Sequence, residues 1–497
     1  MSYLQVDALE YDALQVLSMV RSARNAFAPV NRTPPEVLSL IPDYWEDYEK
    51  DRNSIVLTHV CRSWREIFVS RPSLWTYLDF DNVEKTRVYI ERSKCAPLEI
   101  HLEPPYEEAF FLRIPHIRRL KTLSVCGGPD ELLPVLVKHF SCPLPLLDDL
   151  TIDFRGHRPP TLPENLFDGD LSSLCKLTLG TTIPLPWRDL SNLTTFNLYE
   201  VPEDKILLTQ LLDFFESAPY LRHIQLHYSL PSFSNAPTER VVPLPHLEDL
   251  SIKADQPDLI LLDHLSIPAG ASLHLKFGFD NENSPISSYL PKSLGCLRNL
   301  SHITAVNLFF GWDNVGIQLS GPSGMLHIFG EWNYHKDQPN AGTSLITQFL
   351  SKPDISRTRW LTITFCKYWL YDPARITKST LYRTLHRIED LRTLTLIGCE
   401  DLPFIHALNP NKNPDKIVLC PRLEEIILYV DELDTFHADE LVNMVEGRAT
   451  RGAKLPAITI NIDEVPPEEE VSRLKKHVSR VEYRFDDVLP EWDALPG

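Results

Sequence analysis

The 497-residue sequence has no excess of positive charge: 49 Lys and Arg stand against 68 Asp and Glu, a net charge of −19. Nucleic acid as a main partner needs a clustered basic surface to meet phosphates, so none is expected here. One basic run, His116 to Lys121, reads as the solvated face of a short helix. Nine cysteines include no C-x-x-C pair. A scattered, odd-numbered set fits free buried thiols in a reducing compartment. Residues 1 to 30 hold Asp7, Glu10 and Asp12 and no apolar core, which argues against a secretory leader. No apolar run reaches the roughly 18 residues that a membrane span requires. The expectation is a cytoplasmic or nuclear chain with no membrane partner, in which the sequons at Asn31, Asn192 and Asn299 go unused. Also missing are G-x-G-x-x-G, a Walker loop, H-E-x-x-H and G-x-S-x-G. None of the 17 histidines sits at helical spacing from another with an acidic partner on the same face. The closest approach to a nucleophile is Cys399-Glu400-Asp401 near His406, and Gly398 before it marks a turn cysteine. No enzyme activity, cofactor or metal is expected.

What is present is globular: 43% of residues are apolar and 24% charged. The length exceeds one ordinary domain unless most of it is a repeat array. From about residue 98 such an array shows. Segments of the form L-x-x-L-x-L, with Ile, Val or Phe as substitutes, start at Leu120, Leu147, Leu174, Leu193, Leu221 and Leu247. Three more start at Leu391, Leu423 and Leu455. The first six starts lie 27, 27, 19, 28 and 26 residues apart, and the last three 32 apart. In x-L-x-L the two apolar side chains point to one face of a strand and their neighbours to the other. A single such unit cannot bury that face, so the units must stack. The period is that of leucine-rich repeats. Between strands, Glu203 to Ala218, Thr377 to Ile388 and Glu432 to Arg448 are amphipathic and long enough for helices. A two-sided α/β domain with alternating strands and helices is the competing architecture.

Ahead of the array lies a helical signature. Thr33-Pro34-Pro35-Glu36-Val37-Leu38-Ser39-Leu40-Ile41 starts it, with Thr33 as the expected cap and Glu36 three residues on. Val56, Leu57, Val60, Cys61, Trp64, Ile67 and Phe68 then form one broad apolar stripe on a second helix, which Pro72 ends. The P-x-E-V-L opening, the V-C-x-x-W-R core and the P-x-L-W close resemble an F-box over about 45 residues. The acidic, aromatic stretch Pro42 to Asn53 departs from that pattern, with Tyr44 and Trp45 in place of its usual aromatic pair. The alternative is a plain helical hairpin around a packed Trp64.

The resemblance implies a function. F-box helices dock on a Skp-type adaptor of a cullin scaffold, and many members carry a leucine-rich solenoid that binds substrate. Carried onto this chain, the docking residues are Pro35, Glu36, Val37, Leu38, Leu40, Ile41, Leu57, Val60, Cys61, Trp64, Arg65, Ile67, Phe68, Pro72, Leu74 and Trp75. Burial of Val37, Leu38, Leu40, Leu57, Val60 and Ile67 would drive the contact. The join is also similar to fungal members: Leu74-Trp75, Leu78-Asp79-Phe80, a helix through Arg87 to Lys94, and a first strand Ala96 to Leu102. Outward strand positions, among them Arg222, His223, Glu248, Asp249, Arg392 and Glu424, are the candidates for holding a protein substrate.

The expected fold class is α/β: an all-helical N-terminal F-box, then a curved leucine-rich solenoid. Its parallel strands would line the concave face, with helices or loops on the convex one. The expected segments are residues 1–31, an N-terminal helix; 32–79, the F-box; 80–462, the solenoid; and 463–497, a cap and acidic tail. Residues 301–345 break the rhythm, with strands at Ala305–Phe310 and Gly316–Ser320, a turn at Gly321-Pro322-Ser323-Gly324, and a return at Met325–Phe329. Trp312, Trp332, Tyr334 and His335 beside this hairpin are either a partner hot spot or aromatics packed under a loop. Residues 230–246 read as a proline-rich loop. Tyr3 to Phe27 reads as a helix that either packs on its neighbours or pairs with another copy. The function expected is substrate recognition for a ubiquitin ligase of the SCF type. A leucine-rich scaffold with no ligase role is the alternative.

Overall fold

The computed structural model describes residues 3–44, 47–104, 117–154, 162, 166–169, 171–180, 190–201, 206–230, 240–254, 260–279, 297–310, 314–322, 324–332, 350–351, 353–365, 378–398, 402–413, 415–430, 438–462 and 468–484. Trp45, Trp312, Tyr334, His335, Cys399 to Asp401 and the tail from residue 485 lie outside these, as do the side chains of residues 45–53 and of Trp332. The chain is mixed α/β and mostly parallel in its sheets. It forms two compact units, Met1–Asn192 and Leu193–Gly497.

The first unit opens with helices. These are α1 (Tyr3–Ala26), a one-turn α2 (Pro35–Leu38), α3 (Asp47–Val60) and α4 (Arg62–Val69), with a 3-10 turn at Pro72–Trp75. The single stripe expected across Val56 to Phe68 is broken. Cys61 is fully extended (φ −160°, ψ 174°), so α3 stops at Val60 and α4 starts afresh. Thr33 does not cap α2. It closes the 3-10 turn Pro29–Arg32 through its N–H to the Val30 carbonyl, and no side chain caps α2. After the short strand β1 (Tyr77–Leu78) comes α5 (Val83–Ser93), capped by Asn82, whose side chain accepts from the Lys85 N–H at 2.9 Å. Four strands follow: β2 (Leu98–Leu102), β3 (Leu120–Gly127), β4 (Asp149–Phe154) and β5 (Lys176–Gly180), with α6 (Pro129–Phe140) between β3 and β4. Each strand pairs in parallel with the one before it. The basic run does contain a short 3-10 helix, Ile117–Arg119, with Arg118 and Lys121 exposed, but one of its cations is turned inward. Arg119 is buried and its guanidinium donates to the Ala96 carbonyl at 2.8 Å and to Ser93 Oγ at 2.9 Å.

The second unit continues the pattern. Its strands are β6 (Thr195–Tyr199), β7 (His223–His227), β8 (Val242–Pro243), β9 (Asp249–Ala254), β10 (Leu265–Ser266), β11 (Ser272–Phe279) and β12 (Ala305–Phe310). Then come β13 (Asn314–Ser320), β14 (Met325–Trp332), β15 (Trp360–Phe365), β16 (Thr393–Ile397), β17 (Glu425–Val430), β18 (Ala457–Ile462) and β19 (Arg480–Arg484). The helices are α7 (Leu208–Ser217), α8 (Ile260–Asp263), α9 (Lys378–Arg387), α10 (Leu402–Leu408), α11 (Ala438–Ala449) and α12 (Glu468–Lys475). β6, β7, β9 and β11 pair in parallel, and so do β15 through β19. The stretch read as a loop at 230–246 contains β8, which bridges β10 beside the main sheet. The C-terminal segment read as a cap adds a further parallel strand, β19.

The expected hairpin is present, and it reorders the sheet. β13 runs antiparallel between β12 and β14, while β14 pairs in parallel with β11 and β12 with β15. The chain therefore skips two strand positions after β11 and fills them by doubling back.

Several of the recurring units share one hydrogen-bond plan. The N–H of the motif's first apolar residue closes a four-residue turn: Leu147 to the Leu144 carbonyl (3.0 Å), Leu221 to Ala218 (3.3 Å), Leu247 to Leu244 (3.2 Å), Leu423 to Cys420 (3.1 Å). Pro145, Pro219, Pro245 and Pro421 occupy the second turn position, where the ring's fixed φ fits. The carbonyl one residue later then accepts two N–H groups from the next unit, as Arg222 does from Glu248 (2.8 Å) and Asp249 (2.9 Å). Leu250, Ile252 and their equivalents in neighbouring strands point inward and are buried.

Candidate functional site

Two surfaces carry the residues singled out by the sequence. The first is the helical module. Its core is Leu38 from α2, Leu57 from α3, and Trp64 and Phe68 from α4, edged by Ile41, Cys61, Ile67 and Leu74. Trp64 stacks edge-on to Phe68, centroids 5.5 Å apart, and its Nε1–H donates to Asn31 Oδ1 at 2.7 Å. The Asn31 amide in turn donates to the Asn25 carbonyl at the end of α1 (2.7 Å). Trp75 is fully buried. Its Nε1–H donates to the Phe68 carbonyl (3.1 Å), its ring meets Tyr89 of α5 at 5.0 Å, and the Arg92 guanidinium lies 4.4 Å over it. Tyr89 Oη is also hydrogen-bonded to Ser54 Oγ of α3 (2.8 Å).

The sixteen named residues of this module thus divide by position. Leu38, Leu57, Trp64, Phe68 and Trp75 hold it together from within. Ile41, Cys61, Ile67, Pro72 and Leu74 are half-buried at its edge, and Pro35, Glu36 and Arg65 are exposed. The remaining three, Val37 at 51% exposure, Leu40 at 47% and Val60 at 50%, are left outside a core that is already closed, as are Val56 at 58% and Ile55 at 39% on α3. Val37 and Leu40 are three residues apart, and Val56 and Val60 lie one turn apart on α3, so each pair shares a face.

The second surface is the outward face of the strands. The residues named for it at the strand entrances are engaged with one another. Arg222 meets Glu248 at 2.7 Å, His223 meets Glu248 at 3.7 Å, Asp249 meets His274 at 3.3 Å, and Arg392 meets Glu424 at 2.5 Å. Exposed pairs of this kind contribute about 0–1 kcal/mol each. Their effect is to neutralise the rim rather than to offer open charge.

Farther along the same strands a different set comes together. Register places Asn197, Gln225, Ser251, His274 and His327 in one row across β6, β7, β9, β11 and β14. The next row holds Tyr199, His227, Lys253, Lys276 and Phe329. Tyr199 Oη donates to Gln225 (2.8 Å) and its ring meets His227 at 5.1 Å. Lys253 Nζ stands 4.9 Å over the Tyr228 ring and Lys276 Nζ 5.1 Å over Phe329. His274 and His327 are 5.9 Å apart. Burial, and then the charge of Lys253, push the His227 imidazolium below its ordinary range. The arrangement is half-buried, aromatic and cationic on a chain that is otherwise acidic. The signal for it was the alternation itself, carried two residues past Arg222 and His223. Two of the five residues in each row, though, come from β11 and β14, which follow no complete L-x-x-L-x-L.

No protein-family model matches the chain, and no curated protein matches it. Among the described residues no helix is long and apolar enough to cross a membrane.

Proposed function

We propose that this chain is the substrate-recognition subunit of an SCF-type cullin–RING ubiquitin ligase. The F-box-like helices would dock on a Skp adaptor, and a leucine-rich solenoid would hold a protein substrate. The observation that carries the reading is the set Val37, Leu40, Val56 and Val60, left outside a module whose core is complete. Apolar residues in that position suit a partner. The recurring turn and the doubly accepting carbonyl support the solenoid part, since they give several units the same joint to their neighbours. The chain performs no chemistry in this scheme. It raises the local concentration of substrate near a conjugating enzyme held elsewhere on the cullin scaffold. The Lys253–Lys276 rows are the part of the strand face best matched to an acidic substrate segment.

The test is co-purification with a Skp adaptor. A Val37→Asp, Leu40→Asp pair and a Val60→Asp variant change exposed positions, so they should fold with unchanged circular dichroism. Association with the unaltered chain and its loss in both variants is the expected result. Leu38→Asp would be uninformative, because Leu38 is buried and the change would unfold the module. A folded chain that never captures the adaptor would overturn the ligase reading. It would favour a leucine-rich scaffold whose helical end is tied down at Trp75, Tyr89 and Ser54.

A further inference from the structure

Thr33 carries a hydroxyl that the fold does not use. The chain holds two steps in which Ser or Thr precedes Pro, Thr33-Pro34 and Ser284-Pro285, and the second lies outside the described residues. A residue before proline is pushed into extended backbone. Thr33 follows that rule at φ −67° and ψ 137°, and Pro34 continues at φ −54° and ψ 141°. Together they form a short polyproline-II step. The Thr33 N–H is spent on the Val30 carbonyl, but its hydroxyl caps nothing. Among the described residues no hydrogen bond engages that hydroxyl. Arg32, Pro34 and Pro35 beside it are exposed. The 3-10 turn Pro29–Arg32 before it and α2 after it are four residues each, and neither has a side-chain cap. Single turns of this kind open easily. An extended step whose second residue has a fixed φ and no N–H suits a cleft that reads peptides in this conformation.

The step also borders the docking set. The Pro34 carbonyl accepts the N–H groups of Val37 and Leu38, both at 3.0 Å. On the other side, Asn31 Oδ1 accepts from Trp64 Nε1 at 2.7 Å and lies 4.0 Å from Cys61 Sγ. Cys61 directly follows Val60. Thr33 is thereby held between the turn that carries Val37 and the joint that follows Val60. We propose that Thr33 is a phosphorylation site for a proline-directed kinase, and that its phosphate switches off adaptor docking. In the transfer, Thr33 Oγ1 bonds to the γ-phosphorus of ATP and the bond from that phosphorus to the bridging oxygen breaks. ADP leaves, and the hydroxyl proton passes to the base of the kinase. The product carries a charge of about −1.5 to −2 at pH 7. Beside Val37 and Val60 that charge must shed water before an apolar partner can close, and the desolvation opposes docking. The switch rests on the ligase reading; the site does not.

The full chain, treated with a purified proline-directed Ser/Thr kinase and MgATP, tests both parts. Fragment mass spectrometry is expected to find one phosphoryl group on Thr33. Thr33→Ser should still accept it at that position and Thr33→Ala should not. Affinity of the phosphorylated chain for a purified Skp adaptor should fall about tenfold or more. Kinase-treated Thr33→Ala should keep the affinity of the untreated chain, which sets any modification of Ser284 aside. A folded chain left unmodified at Thr33 overturns the proposal. A chain that binds the adaptor equally well with and without the Thr33 phosphate overturns the switch alone. An untreated chain that never binds the adaptor overturns the ligase reading and the switch with it.

Discussion

Arg448 is a large cation with no exposed surface. From the last turn of α11 it donates to the Leu419 carbonyl (2.7 Å) and the Cys420 carbonyl (2.8 Å), the turn that leads into β17. Arg387, in the last turn of α9, does the same for the carbonyls of Leu350, Ser351 and Pro353. A guanidinium suits this because its fork satisfies several carbonyls at once. Truncation would strand two buried acceptors and leave a cavity. Arg448→Ala should cost about 3 kcal/mol or more, read as a drop in the urea midpoint. Next to it, burial pushes the Cys420 thiol up to about 12, with Arg448 pulling the other way. Thiolate, not thiol, is the nucleophile. Cys420 should therefore stay unlabelled by iodoacetamide at pH 8 while the chain is folded, and label once urea opens it.

At the scale of the element, the strands announced by leucine are where the leucines put them. β3 to β7, β9 and β16 to β18 each contain or directly follow a motif start, because an alternating apolar pattern can be buried only on one face of a strand. β15 was illegible for a single reason. Thr358 occupies the place of the leading leucine: its N–H closes the same turn, to the Ile355 carbonyl at 3.1 Å, and it is equally buried. Its hydroxyl has no hydrogen-bond partner among the described residues. Thr358→Val keeps the shape and removes the orphan, so stability should rise by about 1 kcal/mol. Calorimetry showing a loss would mean the hydroxyl is satisfied in solution. β11 escaped for a similar reason, since Gly270 stands where the leucine would be. In the helical module the residue types were legible and their sides were not. A six-residue apolar list cannot tell Leu38, in the core, from Val37, outside it, when the helix is one turn long. The break at Cys61 was equally hidden, because V-C-x-x-W-R fits a continuous helix as well as two.

At the scale of the molecule, the sheet of the second unit ends, among the described residues, on β19, whose residues Arg480, Glu482 and Arg484 carry charge. Charge on a last strand discourages pairing with another chain. β18 behind it reads Ala-Ile-Thr-Ile-Asn-Ile, with no charge at all. A chain cut before Arg480 should stay folded upstream yet scatter light on standing, since β18 becomes the open edge. If it remains clear at the same concentration, β19 is not the guard.

The doubling back through β13 has a consequence for how the protein is made. Away from this hairpin a strand meets its partner about one unit later. β11 pairs onward with β14, and Ser272 waits for Met325, a delay of about 3–10 seconds at ordinary synthesis rates. β12 also waits, Ala305 for Trp360. For that interval the nascent chain presents a bare, apolar strand edge to the crowded space outside the ribosome. A chaperone engaging this protein during translation would find its longest openings along β11 and β12.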